Sequence, residues 1–349
     1  MLNTLSDEHY QIHILTGVSR TFALTIPQLP SCLAKVVGNG YLLCRIADTI
    51  EDEPALTAFQ KDYFSQEFIR VVAGETCPNK FSQALFPLFS ESTSMAEKEL
   101  ILNIPRVVNL TRTFSSLQQT VLLRCVRIMA KGMSDFQQHS SLKGLSNLAE
   151  MDRYCYYVAG VVGEMLTELF CDYSPQIAQQ REQLLVLAPS FGQGLQMTNI
   201  LKDIWEDYQR GACWLPQEIF SQVGFDLKDL SPHHYYPNFG KGLSELIAIA
   251  LTHLHNALRY VLLIPPHEQG IRRFCLWALG MAMLTLRRIH HHQNFTRGQD
   301  VKISRKSVKA VLLISNLATK SDMSLKFLFY LLARSLPEEK ILPLVTTSL

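Results

Sequence analysis

The sequence predicts an all-α protein, a single large helical domain with its helices surrounding a central cavity. Two patterns carry this prediction. Apolar residues recur at helical spacing along most of the chain, and alternating strand patterns with Asn-Gly or Asp-Gly turns are almost absent. Of the 349 residues, 47% are hydrophobic, ample for a large core. At this length the alternative is a helical two-domain split.

Taken in order, the periodicity predicts helices over 12–24, 36–50, 117–136, 148–170, 191–208, 243–263 and 274–291. Proline-containing breaks punctuate them: Pro27 and Pro30, Glu53-Pro54, Cys77-Pro78, Pro189, Pro216, Pro232 and Pro265-Pro266. Nothing reads as a flexible linker, a low-complexity tract or an internal repeat. The expected domain therefore covers 1–349, with 1–10 and 338–349 as peripheral termini.

The formal charge is +2 and no basic run stands out, so nucleic acid is not an expected partner. The eight cysteines are scattered without a C-x-x-C pair, which suits a reducing compartment and thiols used as small core residues. The N-terminus is polar and acidic, unlike a secretory signal. The longest apolar stretch, 274–286, is shorter than the roughly 20 residues that span a bilayer. A cytoplasmic protein is expected, at most peripheral to the inner face of a membrane, with a monomer favoured.

Function is best signalled by two acidic clusters, Asp48-Thr49-Ile50-Glu51-Asp52 and Asp203-Ile204-Trp205-Glu206-Asp207. They contain the only two D-x-x-x-D spacings in the chain. On a helix, such aspartates lie on one face about 6 Å apart, where they repel. A cation relieves that repulsion, and oxygen-only ligands suit Mg²⁺ completed by substrate phosphates. The expectation is a Mg²⁺-diphosphate site built between helices, with Asp48, Asp52, Asn199, Asp203 and Asp207 as metal ligands.

Each pair continues a longer polar stripe. Tyr41, Arg45, Asp48 and Asp52 are spaced 4, 3 and 4, opposite Leu42, Leu43, Ile46 and Ile50. Arg45 suits a pair of diphosphate oxygens in fork geometry. The competing reading is a solvated face with an intrahelical Arg–Asp pair. Gln196, Asn199, Asp203 and Asp207 are spaced 3, 4 and 4, flanked by Lys202, Glu206 and Arg210.

The stretches 41–52 and 196–207 resemble the two signatures of the squalene/phytoene synthase family. Ser19-Arg20-Thr21-Phe22 is similar to the family's substrate-flap motif, and Met129-Ala-Lys-Gly-Met133 to its mid-chain helix. Tyr154-Cys-Tyr-Tyr-Val-Ala-Gly160-Val-Val-Gly163 resembles its most recognisable helix, and Trp214-Leu-Pro216 the segment after the second acidic motif. Phe274-Cys275 and Val301-Lys302-Ile303 look like the squalene-forming branch, in its soluble bacterial form. Departures are Ala278 near an expected proline, Ser304 before Arg305-Lys306, and Ala212 where the family usually has arginine; Arg210 is the substitute one turn earlier.

The resemblance implies the class I isoprenoid synthase fold. It also implies head-to-head joining of two farnesyl diphosphates to presqualene diphosphate, then reductive rearrangement to squalene with NADPH. Asp48, Asp52, Asp203 and Asp207 would hold Mg²⁺. Arg45, Arg20 and Lys202 would neutralise phosphate, and Tyr154 would assist the first cation. Ser19, Thr21, Phe22, Tyr41, Gln196 and Asn199 would contact substrate, with Val158 and Val162 as apolar walls. No G-x-G-x-x-G opens a βαβ unit, so Phe274, Lys302 and Arg305 are the candidates for nucleotide contact.

The rivals are a phytoene- or dehydrosqualene-type synthase without NADPH, a class I terpene cyclase, a head-to-tail chain-lengthening synthase, and a non-catalytic assembly protein on the same fold. The cyclase and chain-lengthening motifs are missing: Ala47 and Lys202 precede the leading aspartates. His290-His291-His292 is read as no metal site, because consecutive helical residues point in different directions. Trp205 is read as packing.

Overall fold

The computed structural model describes residues 6–19, 21–137, 141–232 and 234–339. Among them every regular element is a helix, apart from one isolated parallel bridge, Leu145 to Pro216. The all-α expectation holds. The described residues divide into two compact units, one of 6–137 with 168–174, the other of 141–167 with 175–339.

The first unit contains α1 (Asp7–Val18), α2 (Phe22–Thr25), α3 (Ser31–Asp52), α4 (Ala58–Val72), α5 (Pro78–Leu85), α6 (Met95–Leu102), α7 (Ile104–Thr111) and α8 (Ser116–Gln137). Helix α3 packs on α8, α1, α4 and α7. Its apolar positions Leu42, Leu43, Ile46 and Ile50 are all fully buried, each stabilising by roughly 1.5–3 kcal/mol. That burial fixes the rotation of α3 and so the direction of its polar stripe. Pro54 ends the helix by holding Glu53 extended, at φ −65° and ψ 113°. The buried Glu53 carboxylate then accepts from the Ala55 and Ser90 amides, each at 3.0 Å, and from the Thr93 hydroxyl.

Two expectations change here. The helix predicted over 12–24 ends at Val18, where Ser19 turns extended and its hydroxyl accepts from the Phe22 amide at 3.0 Å. The terminus is also anchored before residue 10. Tyr10 is buried beneath the Arg106 guanidinium, and Arg106 pairs with Asp7 at 2.9 Å. Residues 1–5 and 340–349 of the expected peripheral termini lie outside the described residues, as does Arg20.

The second unit is built on α9 (Leu148–Cys155), a π-helical turn (Tyr156–Gly160), the start of α10 (Val161–Tyr173), α11 (Pro175–Ala178) and α12 (Arg181–Lys202). It continues with α13 (Ile204–Gln209), α14 (Gln217–Gln222), α15 (Pro237–Leu263), α16 (Gln269–His291), α17 (Gly298–Val301), α18 (Arg305–Ala318) and α19 (Asp322–Ala333). Its centre is α12, packed along α15 and against the π-turn and α16. Close approach here requires glycine. A Cβ on Gly192 would lie 2.1 Å from the Ala159 carbonyl oxygen, and one on Gly163 2.2 Å from that of Ala188.

Pro189, expected to break the chain, lies inside α12. Its missing N–H removes one intrahelical bond, but Ala188 and Ser190 on either side are buried, and packing outweighs the local loss. Helix α15 is long and apolar enough to cross a membrane, yet 67% of its apolar window is buried as core. Its His and Asn residues interrupt the apolar run, so the sequence read residue by residue does not show this length.

Candidate functional site

The first unit supplies one polar stripe. Tyr41, Arg45 and Asp48 are half-buried and Asp52 is exposed, on the face of α3 opposite its buried leucines and isoleucines. The Tyr41 hydroxyl donates to the Val18 carbonyl at 3.2 Å, and its ring lies 4.8 Å from that of Phe22. Ser19 and Phe22 of the N-terminal motif thus gather at the stripe's first residue, while Thr21 is exposed.

Arg45 does not rest on its own helix. Its Nη2 pairs with Glu97 on α6, a carboxylate that also accepts from the Ser94 amide and hydroxyl in a capping box. Arg45 Nε is buried without a hydrogen-bond partner. A buried, unsatisfied charged donor is costly, and an anion's oxygen would satisfy it.

Burial, with Asp52 second, pushes the Asp48 carboxyl up to about 7, although Arg45 pulls the other way. Two carboxylates four residues apart therefore oppose each other's ionisation, and a bound cation would remove that opposition. The donor set is all oxygen, as a hard divalent ion requires.

The second stripe differs from its predicted form. Instead of one helix over 191–208, α12 ends at Lys202 and the chain bends at Asp203, with φ −101° and ψ 17°. Helical hydrogen bonding persists through the bend: Asp203 N–H donates to Asn199 at 2.8 Å and Asp207 N–H to Asp203 at 2.9 Å. Gln196, Lys202 and Asp203 are half-buried, Asn199 is exposed and Asp207 is buried. Burial raises the Asp203 carboxyl, opposed by Lys202, whose ammonium lies 3.0 Å away. Asp207 pairs with Arg210. The arginine proposed to substitute at Ala212 thus already reaches an aspartate of the stripe.

Glu206 lies close enough to Asp203 to raise its carboxyl further. It accepts the Gly298 amide at 2.9 Å, fastening the short α17 beside Lys202 and Asp203. The Trp205 indole donates to the Phe295 carbonyl at 2.7 Å, a packing role as expected. Among the described residues, no group of three or more His, Cys, Asp or Glu side chains forms a ready metal cluster. Each stripe offers an aspartate pair that needs further oxygen ligands.

Tyr154 stacks face to face on Trp214, ring centroids 4.1 Å apart and 5° from parallel. The helix predicted over 148–170 opens after Cys155 into the π-turn, which carries Tyr156, Tyr157 and Val158. Such turns are rare and frequently mark functional sites. Sequence periodicity gave no sign of it, because α9 and α10 continue the pattern on either side. Val158 and Val162 are half-buried. Of the nucleotide candidates, Phe274 is buried within α16 while Lys302 and Arg305 are exposed. The three offer two cations and no accessible ring.

Comparison with known proteins matches residues 15–307 to the squalene/phytoene synthase family. Squalene synthase ERG9 of Gibberella zeae is 30% identical over 296 residues, 83% of this chain and 60% of that protein. The Saccharomyces cerevisiae ERG9 enzyme is 28% identical, with coverage of 89% and 68%. Human squalene synthase is 29% identical, with coverage of 83% and 65%. The chain thus spans 60–68% of the length of these relatives. Among solved structures, TcSQS with the ligand BPH1237 superposes with a TM-score of 0.76 at 25% identity, covering 96% of this chain and 94% of that one. A dehydrosqualene synthase complex, at 21% identity and a TM-score of 0.66, has the same fold and covers 90% of this chain and 97% of its own. Because the match runs from before the first acidic stripe to beyond the second, the chain belongs to the squalene/phytoene synthase family.

Proposed function

We propose that this chain is a squalene synthase that joins two farnesyl diphosphates head to head and reduces the product with NADPH. The observation that carries the reading is the survival of both aspartate pairs, at their motif positions, in a family member whose curated relatives are named squalene synthases. A non-catalytic relative would have no use for four such carboxylates, one of them held at about 7. We further propose that the chain acts as the one domain expected from the sequence.

Asp48 and Asp52 on α3, with Asp203 and Asp207 near the α12 bend and Asn199 before it, are the proposed metal ligands. Bound Mg²⁺ would supply charge stabilisation for the departing diphosphate. Arg45 would offer its unpaired Nε to a phosphate oxygen, and Lys202 and Arg210 would add positive charge beside the second pair. Arg20, Ser19, Thr21, Phe22, Tyr41 and Gln196 are proposed substrate contacts on the motif match.

Once diphosphate leaves, the allylic cation must meet carbon and not water. Val158 within the π-turn and Val162 just after it are suited to wall it, being apolar and half-buried. Tyr154 would be held in orientation by its stack on Trp214, a phenol placed to stabilise developing charge. A neutral phenol is a weak base, so the departing diphosphate is the proposed proton acceptor in partnership with it.

Lys302 and Arg305 are the remaining proposed nucleotide contacts. The test is incubation with farnesyl diphosphate and Mg²⁺, with and without NADPH, followed by product identification. Squalene appearing only with NADPH is expected. Dehydrosqualene or phytoene formation irrespective of NADPH would replace the reading with its nearest rival, and no diphosphate release would end it.

A further inference from the structure

We propose that the outer face of the α18–α19 hairpin is a docking surface for an anionic lipid bilayer. The inference is independent of the activity proposed above. Exposed large apolar side chains are scattered singly over most of the chain, which is ordinary. Along residues 313–331 they are concentrated instead: Leu313, Ile314 and Leu317 on α18, then Met323, Phe327 and Tyr330 on α19. Leu317, Met323 and Phe327 are 79%, 76% and 59% exposed, so they are open to solvent and not merely at the edge of the core.

Helical spacing aligns them. Lys309, Leu313 and Leu317 follow one another at intervals of four on α18, and Met323, Phe327, Tyr330 and Arg334 at intervals of 4, 3 and 4 on α19. The opposite faces are spoken for. Val311 and Ala318 on α18, and Leu325 and Phe329 on α19, are buried where the two helices pack on each other and on α16. The hairpin is therefore held by its inner face and leaves an apolar outer face without a protein partner among the described residues.

Charge selects the occupant. Residues 306–334 contain five basic side chains, Lys306, Lys309, Lys320, Lys326 and Arg334, against one acidic, Asp322. Asp322 is itself engaged by the buried Arg272 at 2.8 Å. In a chain with a net charge of only +2, this is a local excess of positive charge wrapped around exposed leucine and aromatic side chains. Apolar anchors ringed by lysine are what an interfacial, anionic-lipid-binding surface needs. The apolar side chains enter the headgroup boundary while the ammonium groups meet lipid phosphates. A soluble protein partner would bury the same apolar groups but gives no reason for the one-sided charge.

The test is co-sedimentation of the full chain with vesicles of phosphatidylcholine alone or containing phosphatidylglycerol. Binding to the anionic vesicles only, weakened by salt, is expected. Lys309→Ala and Lys326→Ala should each reduce partitioning by roughly fivefold. Leu317→Glu with Phe327→Glu should abolish it while leaving helical content and thermal unfolding unchanged, since both side chains are exposed. Equal partitioning by wild type and these variants, or failure of the wild type to bind anionic vesicles, would overturn the proposal. So would a concentration-dependent dimer, by light scattering, that the Leu317→Glu/Phe327→Glu variant dissolves. That result would assign the face to a second copy of the chain.

Discussion

Replacing Asp48 by asparagine should make the protein more stable while removing its activity. The half-buried Asp48 carboxyl is pushed up to about 7 from an ordinary 3.8. In the unfolded chain it ionises freely above pH 4, so folding at higher pH must either keep its proton or place a charge beside Asp52. The stability it contributes is fully present below 3.8 and is lost as pH rises toward and through 7. The cost works out at about 1.5 kcal/mol at pH 5 and about 4 kcal/mol at pH 8. Asparagine has the same shape and no charge to bury. Urea unfolding with a chelator present, compared at pH 5 and pH 8, should show Asp48→Asn gaining over wild type at both, with the larger gain at pH 8. Turnover with farnesyl diphosphate and Mg²⁺ should fall below detection in the same variant. A variant no more stable than wild type, or a gain that is the same at both pH values, would refute the assignment of Asp48 as a strained, cation-seeking carboxylate.

The same shift gives Mg²⁺ binding a pH dependence. Calorimetric affinity should rise about tenfold per pH unit below 7, with about one proton released, and level off above it with none, because the ion must displace the Asp48 proton only where that proton is present. Tyr154→Phe should preserve the stack on Trp214 and impair the first condensation more than substrate binding. Trp214→Leu should lower turnover by loosening the ring, and equal kinetics for all three proteins would remove Tyr154 from the mechanism. Gly192→Ala should destabilise the second unit by about 1–3 kcal/mol, since its Cβ would lie 2.1 Å from the Ala159 carbonyl oxygen; thermal unfolding reads the loss.

Local spacing made much of this molecule legible. The 4, 3, 4 stripe of Tyr41, Arg45, Asp48 and Asp52 needs only helix geometry, and α3 presents it on the face opposite Leu42 and Ile46. The all-α class followed from the same periodicity. What escaped depends on residues distant in sequence. Spacing offers Arg45 an aspartate partner on its own helix, but the structure pairs it with Glu97, on α6. Glu206 sits inside an acidic motif, yet one of its oxygens takes the Gly298 amide, a contact across ninety-two positions. Pro189 reads locally as a stop and is overruled by burial on both sides. The bend at Asp203 and the π-turn after Cys155 leave the apolar period almost intact, so no count of spacings reveals them.

The central claim is that each aspartate pair holds a divalent ion together with diphosphate. Manganese binding, followed by electron paramagnetic resonance with inorganic diphosphate present, tests it most directly. Wild type should bind Mn²⁺ far more tightly with diphosphate than without. Asp48→Asn/Asp52→Asn and Asp203→Asn/Asp207→Asn should each reduce that enhancement. Full enhancement in either double variant would show that its pair takes no part in holding the ion and diphosphate, and would contradict the account.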